Sequence, residues 1–309
     1  MSLYPKHLEE YAALAGIPRG PKSQWFIVDP VNGDDDNSGA SFKAPLATWA
    51  EAKDRTTGDQ HDAVFVVAGD TSDSNAATIA WDKDHTHLIG LSAPFPGIGQ
   101  RCRTASTVAA PALTISGKGG IFKNLQIQNS YAGASGGVLV SGAYNYFENV
   151  YFNGMNHATA GAAATSYCLS VTAAENYFKR CTIGSVQTVR ASTNAALVLS
   201  TGAQGFEDCL IQGYSETAGN FLVRLATGTA GMSLLRFKHC TFYNQTVNWA
   251  TGMTAVFNVA QTGSHYVLLD DCIAIGGAGG GMTWGDVATH IYTRTGDGAG
   301  GDLAVAVTH

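Results

Sequence analysis

Hydrophobic and polar positions along this chain fall into short runs rather than long helical stripes, and one run recurs. Six segments share it: Phe122-Lys-Asn-Leu-Gln-Ile127, Phe147-Glu-Asn-Val-Tyr-Phe152, Phe178-Lys-Arg-Cys-Thr-Ile183, Phe206-Glu-Asp-Cys-Leu-Ile211, Phe237-Lys-His-Cys-Thr-Phe242 and Leu269-Asp-Asp-Cys-Ile-Ala274. Their starts lie 25, 31, 28, 31 and 32 residues apart, a period that signals stacked units rather than one closed core. A second apolar strand precedes each segment: Leu113-Thr-Ile115, Leu139-Val140, Leu169-Ser-Val171, Leu197-Val-Leu199, Val223-Arg-Leu225 and Phe257-Asn-Val259. In the first four units it ends seven positions before the Phe, and in the last two 12 and 10 positions before the Phe or Leu.

The parity of the repeat carries geometry. Residues two apart share one face of a strand, yet the Phe and the Cys position are three apart, so both face inward only if the chain bends between them. The residue before the Cys position is Asn124, Asn149, Arg180, Asp208, His239 or Asp271, and Asn, Asp and His are the non-Gly types most tolerant of a left-handed bend. The pattern predicts an all-β fold: a right-handed, single-stranded parallel β-helix with three strands per coil. Its inner ladders are the phenylalanines, an aliphatic row, and the row Leu125, Val150, Cys181, Cys209, Cys240, Cys272. With earlier strands at Ala63-Val-Phe-Val-Val67, Ala77-Thr-Ile-Ala-Trp81 and His87-Leu-Ile-Gly-Leu91, about eight coils span roughly 40 Å.

An open solenoid end needs a cap, and Leu46-Ala-Thr-Trp-Ala-Glu-Ala-Lys53 has the helical spacing for one. Residues 1–22 read as a short amphipathic arm with Leu8, Tyr11 and Leu14 on one stripe, bounded by Gly16 and Pro18. The arm either docks on the solenoid or grips another protein. The β-helix is expected over 23–281, ending in Gly276-Gly-Ala-Gly-Gly-Gly281, with 282–309 a C-terminal tail or assembly arm.

With the coils placed, Phe26-Ile-Val-Asp-Pro-Val-Asn-Gly-Asp-Asp-Asp-Asn-Ser-Gly39, Pro45-Leu-Ala-Thr-Trp49 and Leu88-Ile-Gly90 resemble the opening module of pectate-lyase-like β-helix proteins. The resemblance extends over residues 25–275 and implies the pectin-lyase fold. That family includes lyases, hydrolases, epimerases, phage spikes and non-catalytic virion proteins, so the resemblance alone assigns no chemistry.

Charged residues make up only 14% of the chain, against about 25% in an average protein. The net charge of −6 and the lack of a basic block give no electrostatic support for nucleic-acid binding. No apolar run is long enough for a membrane span. The N-terminus lacks a signal-peptide pattern, so folding in a cytoplasm with six reduced cysteines is expected.

Candidate chemistry is thin. Asp270-Asp271 resembles the Asp-Asp segment of polygalacturonases, but the Asn-Thr-Asp, Gly-His-Gly and Arg-Ile-Lys that accompany it there are absent here, and Asp271 occupies a corner position. Trp81-Asp-Lys-Asp-His85 matches a pectate-lyase motif only loosely. Cys181, Cys209, Cys240 and Cys272 form a line across coils, and a line cannot close a tetrahedral metal site. Asp34 and Asp36, with Asp29, Asn32 and Asn37, are a weak calcium candidate that turn formation explains equally well. No cofactor is expected.

The long loops 153–166, 184–194, 212–220 and 243–254 stack on one side and carry His157, Arg190, Tyr214, Glu216, Asn244 and Trp249. That side is a candidate ligand or partner surface, either a sugar groove or the contact face of a homotrimer. These readings together point to a non-enzymatic structural protein of a bacteriophage particle, a head decoration or fibre-like projection meeting other virion proteins such as the capsid, with contact to a host-surface glycan as a further expectation from the same groove. The alternatives are a tailspike-type glycan depolymerase or polysaccharide lyase, and a non-catalytic glycan-binding module.

Overall fold

The computed structural model of the chain describes residue 13 and residues 16–69, 72–92, 102–190, 193–215, 217–226, 233–246, 252–258, 265–276, 282–285, 291–294 and 304–306. Its strands form three parallel ladders around one apolar interior, and the fold is a parallel β-helix. The first ladder carries the aromatic column. Phe26, Val64, Leu88, Phe122, Phe147, Phe178, Phe206, Phe237 and Leu269 are in register from strand to strand. Rings of successive phenylalanines from Phe122 to Phe237 stack with centroids 5.0, 4.6, 4.8 and 4.7 Å apart, close to the strand spacing itself. The second ladder aligns Thr104, Ile127, Phe152, Ile183, Ile211, Phe242 and Ala274. The third aligns Ile79, Leu113, Val138, Leu169, Leu197, Val223 and Phe257.

The bend between the first two ladders lies where the parity argument requires it. Asn124, Asn149, Arg180, Asp208, His239 and Asp271 all have φ between 50° and 57°. Strands Ile121–Asn129 and Tyr146–Asn153 run through this bend and serve both ladders. The next residue turns inward, and Cys181, Cys209, Cys240 and Cys272 each donate a weak S–H bond to the Phe carbonyl of the preceding coil, at 3.7, 3.4, 3.5 and 3.4 Å. Cys102 does the same to the Val66 carbonyl and heads this column.

A second left-handed corner, between the third ladder and the first, is not apparent from residue types. His61, His85, Gly119, Tyr144, Glu175 and Ala203 have positive φ, each three positions before the inward residue of the first ladder. Behind it runs a buried amide ladder. The Asn145 side-chain oxygen accepts from Gly120 N–H, that of Asn176 from Asn145 N–H, and that of Gln204 from Asn176 N–H. These bonds satisfy backbone groups that the corner would otherwise strand.

Helix α1 (Trp49–Arg55) seals the N-terminal end. Thr48 caps it by accepting from Glu51 N–H, and Trp49 and Ala52 are fully buried in the core. On the outside of the first ladder, Ile17 joins Trp25, Ile27, Ala63, Phe65 and Ile89 in a separate apolar cluster. The segment leading into the solenoid therefore folds back upon it. The arm residues Leu8, Tyr11 and Leu14 lie outside the described residues. Beyond residue 281, Thr283–Gly285 pairs with the third ladder and Ile291–Arg294 with the first. Ala304–Ala306 then pairs antiparallel to Ile291–Arg294.

Candidate functional site

The loop side is tied together from within. Arg190 and Asn244, expected on its surface, are buried instead, with 2% and 1% exposure. Arg190 donates from Nε to the Asn194 side-chain oxygen at 2.6 Å and from Nη2 to the Asn194 and Phe221 carbonyls. Burial lowers the basicity of its guanidinium. Asn244 accepts from Ser215 N–H and donates to the Ser215 and Gly276 carbonyls. Both side chains hold turn carbonyls of neighbouring coils, a demand that only the folded loops reveal. Tyr214 is half-buried and its carbonyl accepts from Arg190 N–H. His157 is half-buried and caps the short helix α2 (Ala158–Ala162) by accepting from Thr159 N–H at 3.1 Å. Arg190, Tyr214 and Asn244 thus meet around Ser215. Glu216 and Trp249 lie outside the described residues.

Carboxylates are nearly absent from this side. The four long loops contain one, Glu216. The outward row of the third ladder runs Ala80, Thr114, Leu139, Ser170, Val198, Arg224, Asn258, and its single charge, Arg224, donates to the Ala164 carbonyl at 3.2 Å. A lyase centre would need calcium-binding acids beside such an arginine, and this row does not fit one.

The acids stand elsewhere. Lys123, Glu148, Lys179, Glu207, Lys238 and Asp270 alternate in sign down the outer face of the first ladder. Lys123 pairs with Glu148 at 2.9 Å, Lys179 with Glu207 at 3.2 Å, and Arg236 with Asp270 at 3.1 Å, while Arg180 pairs with Glu148 from the corner. Directly opposed unlike charges support a sheet, whereas like charges would oppose it. Beside this row, Tyr146 and Tyr177 stack at 6.1 Å, and Tyr177 Oη donates to Glu207 at 2.6 Å. Hydrogen bonds from Tyr177 and Lys179 hold the Glu207 pKa down at about 2, and desolvation with the adjacent Glu207 charge pushes Tyr177 up to about 12. Both shifts leave Glu207 ionised and Tyr177 protonated near neutrality. A shallow depression here is lined by Tyr177, Gly205, Phe206, Glu207, Arg236 and Lys238.

The remaining sequence candidates each make structural contacts. Asp270 is 4% exposed and bound to Arg236, whereas Asp271 sits on the exposed corner 3.6 Å from His239, so the pair shares no cleft. Trp81 is core, with its N–H donated to Thr86. Asp34 accepts from Asp36 N–H in a turn, and Asp35 accepts from Ala47 and Thr48 N–H, bracing α1. Among the described residues no group of three or more His, Cys, Asp or Glu side chains is placed to hold a metal ion. No helix there is long and apolar enough to cross a membrane.

No family model and no curated protein sequence matches the chain. Solved structures do match in shape. Pectate lyase Pel9A is 13% identical, covering 94% of this chain and 74% of that one, with a TM-score of 0.59. Pectin methylesterase PemA from Erwinia chrysanthemi is 13% identical, covering 81% of this chain and 80% of that one, with a TM-score of 0.53. The pectin methylesterase from Aspergillus niger is 11% identical over 94% of both chains, also at 0.53. At such identities the likeness is one of fold. The chain is a parallel β-helix of the pectin-lyase-like fold.

Proposed function

We propose that this chain is a non-enzymatic structural protein, a rigid β-helical body that serves a bacteriophage particle as a head decoration or fibre-like projection and assembles as a trimer. The placing of the carboxylates carries this reading. Glycoside hydrolysis needs two carboxyl groups about 5–5.5 Å or 6.5–9.5 Å apart across an open groove. The loop side offers one carboxylate in its four long loops, and the acids of the first ladder are engaged in ion pairs. All six cysteines are free thiols, which supports folding in a reducing cytoplasm such as that of a phage host. The continuous ladders support rigidity, because each coil braces its neighbours along one apolar core among the described residues.

A second reading, a polysaccharide-active protein, draws on the fold shared with pectate lyase and pectin methylesterases, one of which was solved in complex with a hexasaccharide. One experiment separates the two. The mass of the purified full chain is measured in solution beside a cleavage screen on pectic, capsular and storage polysaccharides, scored for new reducing ends, unsaturated products and released methanol. An inert trimer fits the structural role. A monomer that degrades or de-esterifies a glycan overturns it.

A further inference from the structure

The outer face of the first ladder carries a feature that the structural role does not use. Its outward column reads Tyr146, Tyr177, Gly205, Arg236 from strand to strand. Side chains in such a column follow one another at about 4.8 Å; Gly205 has none, and the Tyr177 ring leans into the space it vacates, so that a shallow gap remains between that ring and the Arg236 guanidinium. The gap is shaped from both sides. Tyr177 is fixed against Tyr146, with ring planes 5° apart, and it leans over the glycine: a Cβ at Gly205 would lie 2.6 Å from Tyr177 Cδ2. Any other residue there would displace the ring. Across the gap, Arg236 is held by Asp270 at 3.1 Å with half of its side chain exposed. Glu207 flanks the gap and is fixed by Tyr177 Oη at 2.6 Å and by Lys179 and Lys238 at 3.2 and 3.5 Å.

We propose that this depression, formed by Tyr177, Gly205, Glu207, Arg236 and Lys238, binds one uncharged sugar ring of a glycan. The ring of Tyr177, 40% exposed, offers an apolar surface for the C–H groups of a pyranose. Glu207 accepts from hydroxyls, and Arg236 and Lys238 donate to them, so neighbouring hydroxyls find both kinds of partner within one ring's width. The charges select against ionic ligands. The charged groups already pair with one another, Glu207 with Lys179 and Lys238 and Arg236 with Asp270, so an ionic ligand would have to compete with pairs already made, whereas hydroxyls can share them. The site lies on a different ladder from the long loops and requires no catalysis, so its fate is independent of the assembly role.

The test presents the full-length protein to an array of neutral gluco-, galacto-, manno- and N-acetylhexosamine oligosaccharides, with uronate oligosaccharides alongside. The strongest neutral hit is then titrated by NMR. The expected result is binding to at least one neutral glycan, with amide shifts centred on Tyr177, Gly205 and Glu207. That binding weakens at least tenfold in Tyr177→Ala and in Gly205→Ala and is unchanged in Lys123→Ala, whose side chain lies on the same face outside the depression. Circular dichroism confirms that each variant is folded, and Tyr177→Ala, at a half-exposed position, serves if Gly205→Ala is not. Retention of no neutral glycan overturns the proposal. So does preference for uronates, binding indifferent to Tyr177, or shifts that map to the long loops.

Discussion

Acidification from pH 7 to pH 5 is expected to remove about 2 kcal/mol of stability through a single side chain, His87. His87 is fully buried at the second corner. Its Nδ1 accepts from Ile121 N–H at 3.1 Å, and a backbone amide cannot reverse that role. His87 therefore carries its one proton on Nε2 and donates it to His61 Nδ1, 3.3 Å away. The same geometry excludes it as a metal ligand, since a neutral imidazole has only one lone pair and the amide uses it. Around it stand His61 and His85, their rings 5.4 Å apart, with His85 on Asp59 at 2.8 Å. The buried Asp62 is engaged by the Gln24 and Thr57 amides. Desolvation, then repulsion by His61 and His85, brings the His87 pKa down from 6.5 to about 3. A depressed histidine stabilises the fold fully above the unfolded value and loses that contribution as pH falls below it, because the unfolded chain takes up the proton first. At pH 5 the unfolded histidine is 1.5 units below its ordinary pKa of 6.5, and at 1.36 kcal/mol per unit this is about 2 kcal/mol. The assay is urea unfolding at both pH values for the wild type and for His87→Gln, whose amide can replace both hydrogen bonds without titrating. The wild type should lose about 2 kcal/mol more than the variant. Equal losses, or an imidazole NMR titration of His87 centred near 6.5, would refute the reasoning.

Three further outcomes follow from the ladders. Phe178→Ala removes a fully buried ring stacked between Phe147 and Phe206 and should lower stability by about 3–5 kcal/mol in denaturant unfolding. A loss under 1 kcal/mol would mean the column is not close-packed. Ala203 holds φ at 57° on an exposed corner, so Ala203→Gly should stabilise by about 0.5–1 kcal/mol and Ala203→Val should destabilise, read as opposite shifts in thermal midpoint. Burial pushes the Cys102 thiol up to about 11 and raises Cys168 and Cys209, while the hydrogen bond to the neighbouring thiol, with burial behind it, raises Cys240 and Cys272. Iodoacetamide labelling of the native protein at pH 8, located by mass spectrometry, should modify Cys272 first, the one cysteine that is not fully buried, and leave the others to react only on unfolding.

The architecture was legible because its strongest constraint repeats. Phe and Cys three apart force a bend, and the intervening Asn, Asp or His names the residue that bends. The other corner stayed hidden because Tyr144, Glu175 and Ala203 are poor left-handed formers that the stack imposes on the chain. Cys102 escaped notice because it lies outside the six recurring segments. Arg190 and Asn244 looked like surface groups in long polar loops, but stacking those loops buries turn carbonyls, and these two side chains turn inward to meet them. The depression at Gly205 could not be read either: it exists only when Tyr177 and Arg236 become neighbours across coils.

The C-terminal strand has a consequence for how such molecules behave in a crowd. Among the described residues every other strand pairing in the two sheets runs parallel, whereas Ala304–Ala306 lies antiparallel on Ile291–Arg294. A second molecule arriving head to tail would need an unoccupied parallel edge to extend the stack. The reversed strand covers the first-ladder edge at Ile291–Arg294 and offers the wrong polarity there, while α1 packs on Trp25–Val28, Ala63–Val67 and Ile79–Trp81 at the opposite mouth. A strand and a helix laid across the open ends in this way work against end-to-end stacking of one all-β body on another.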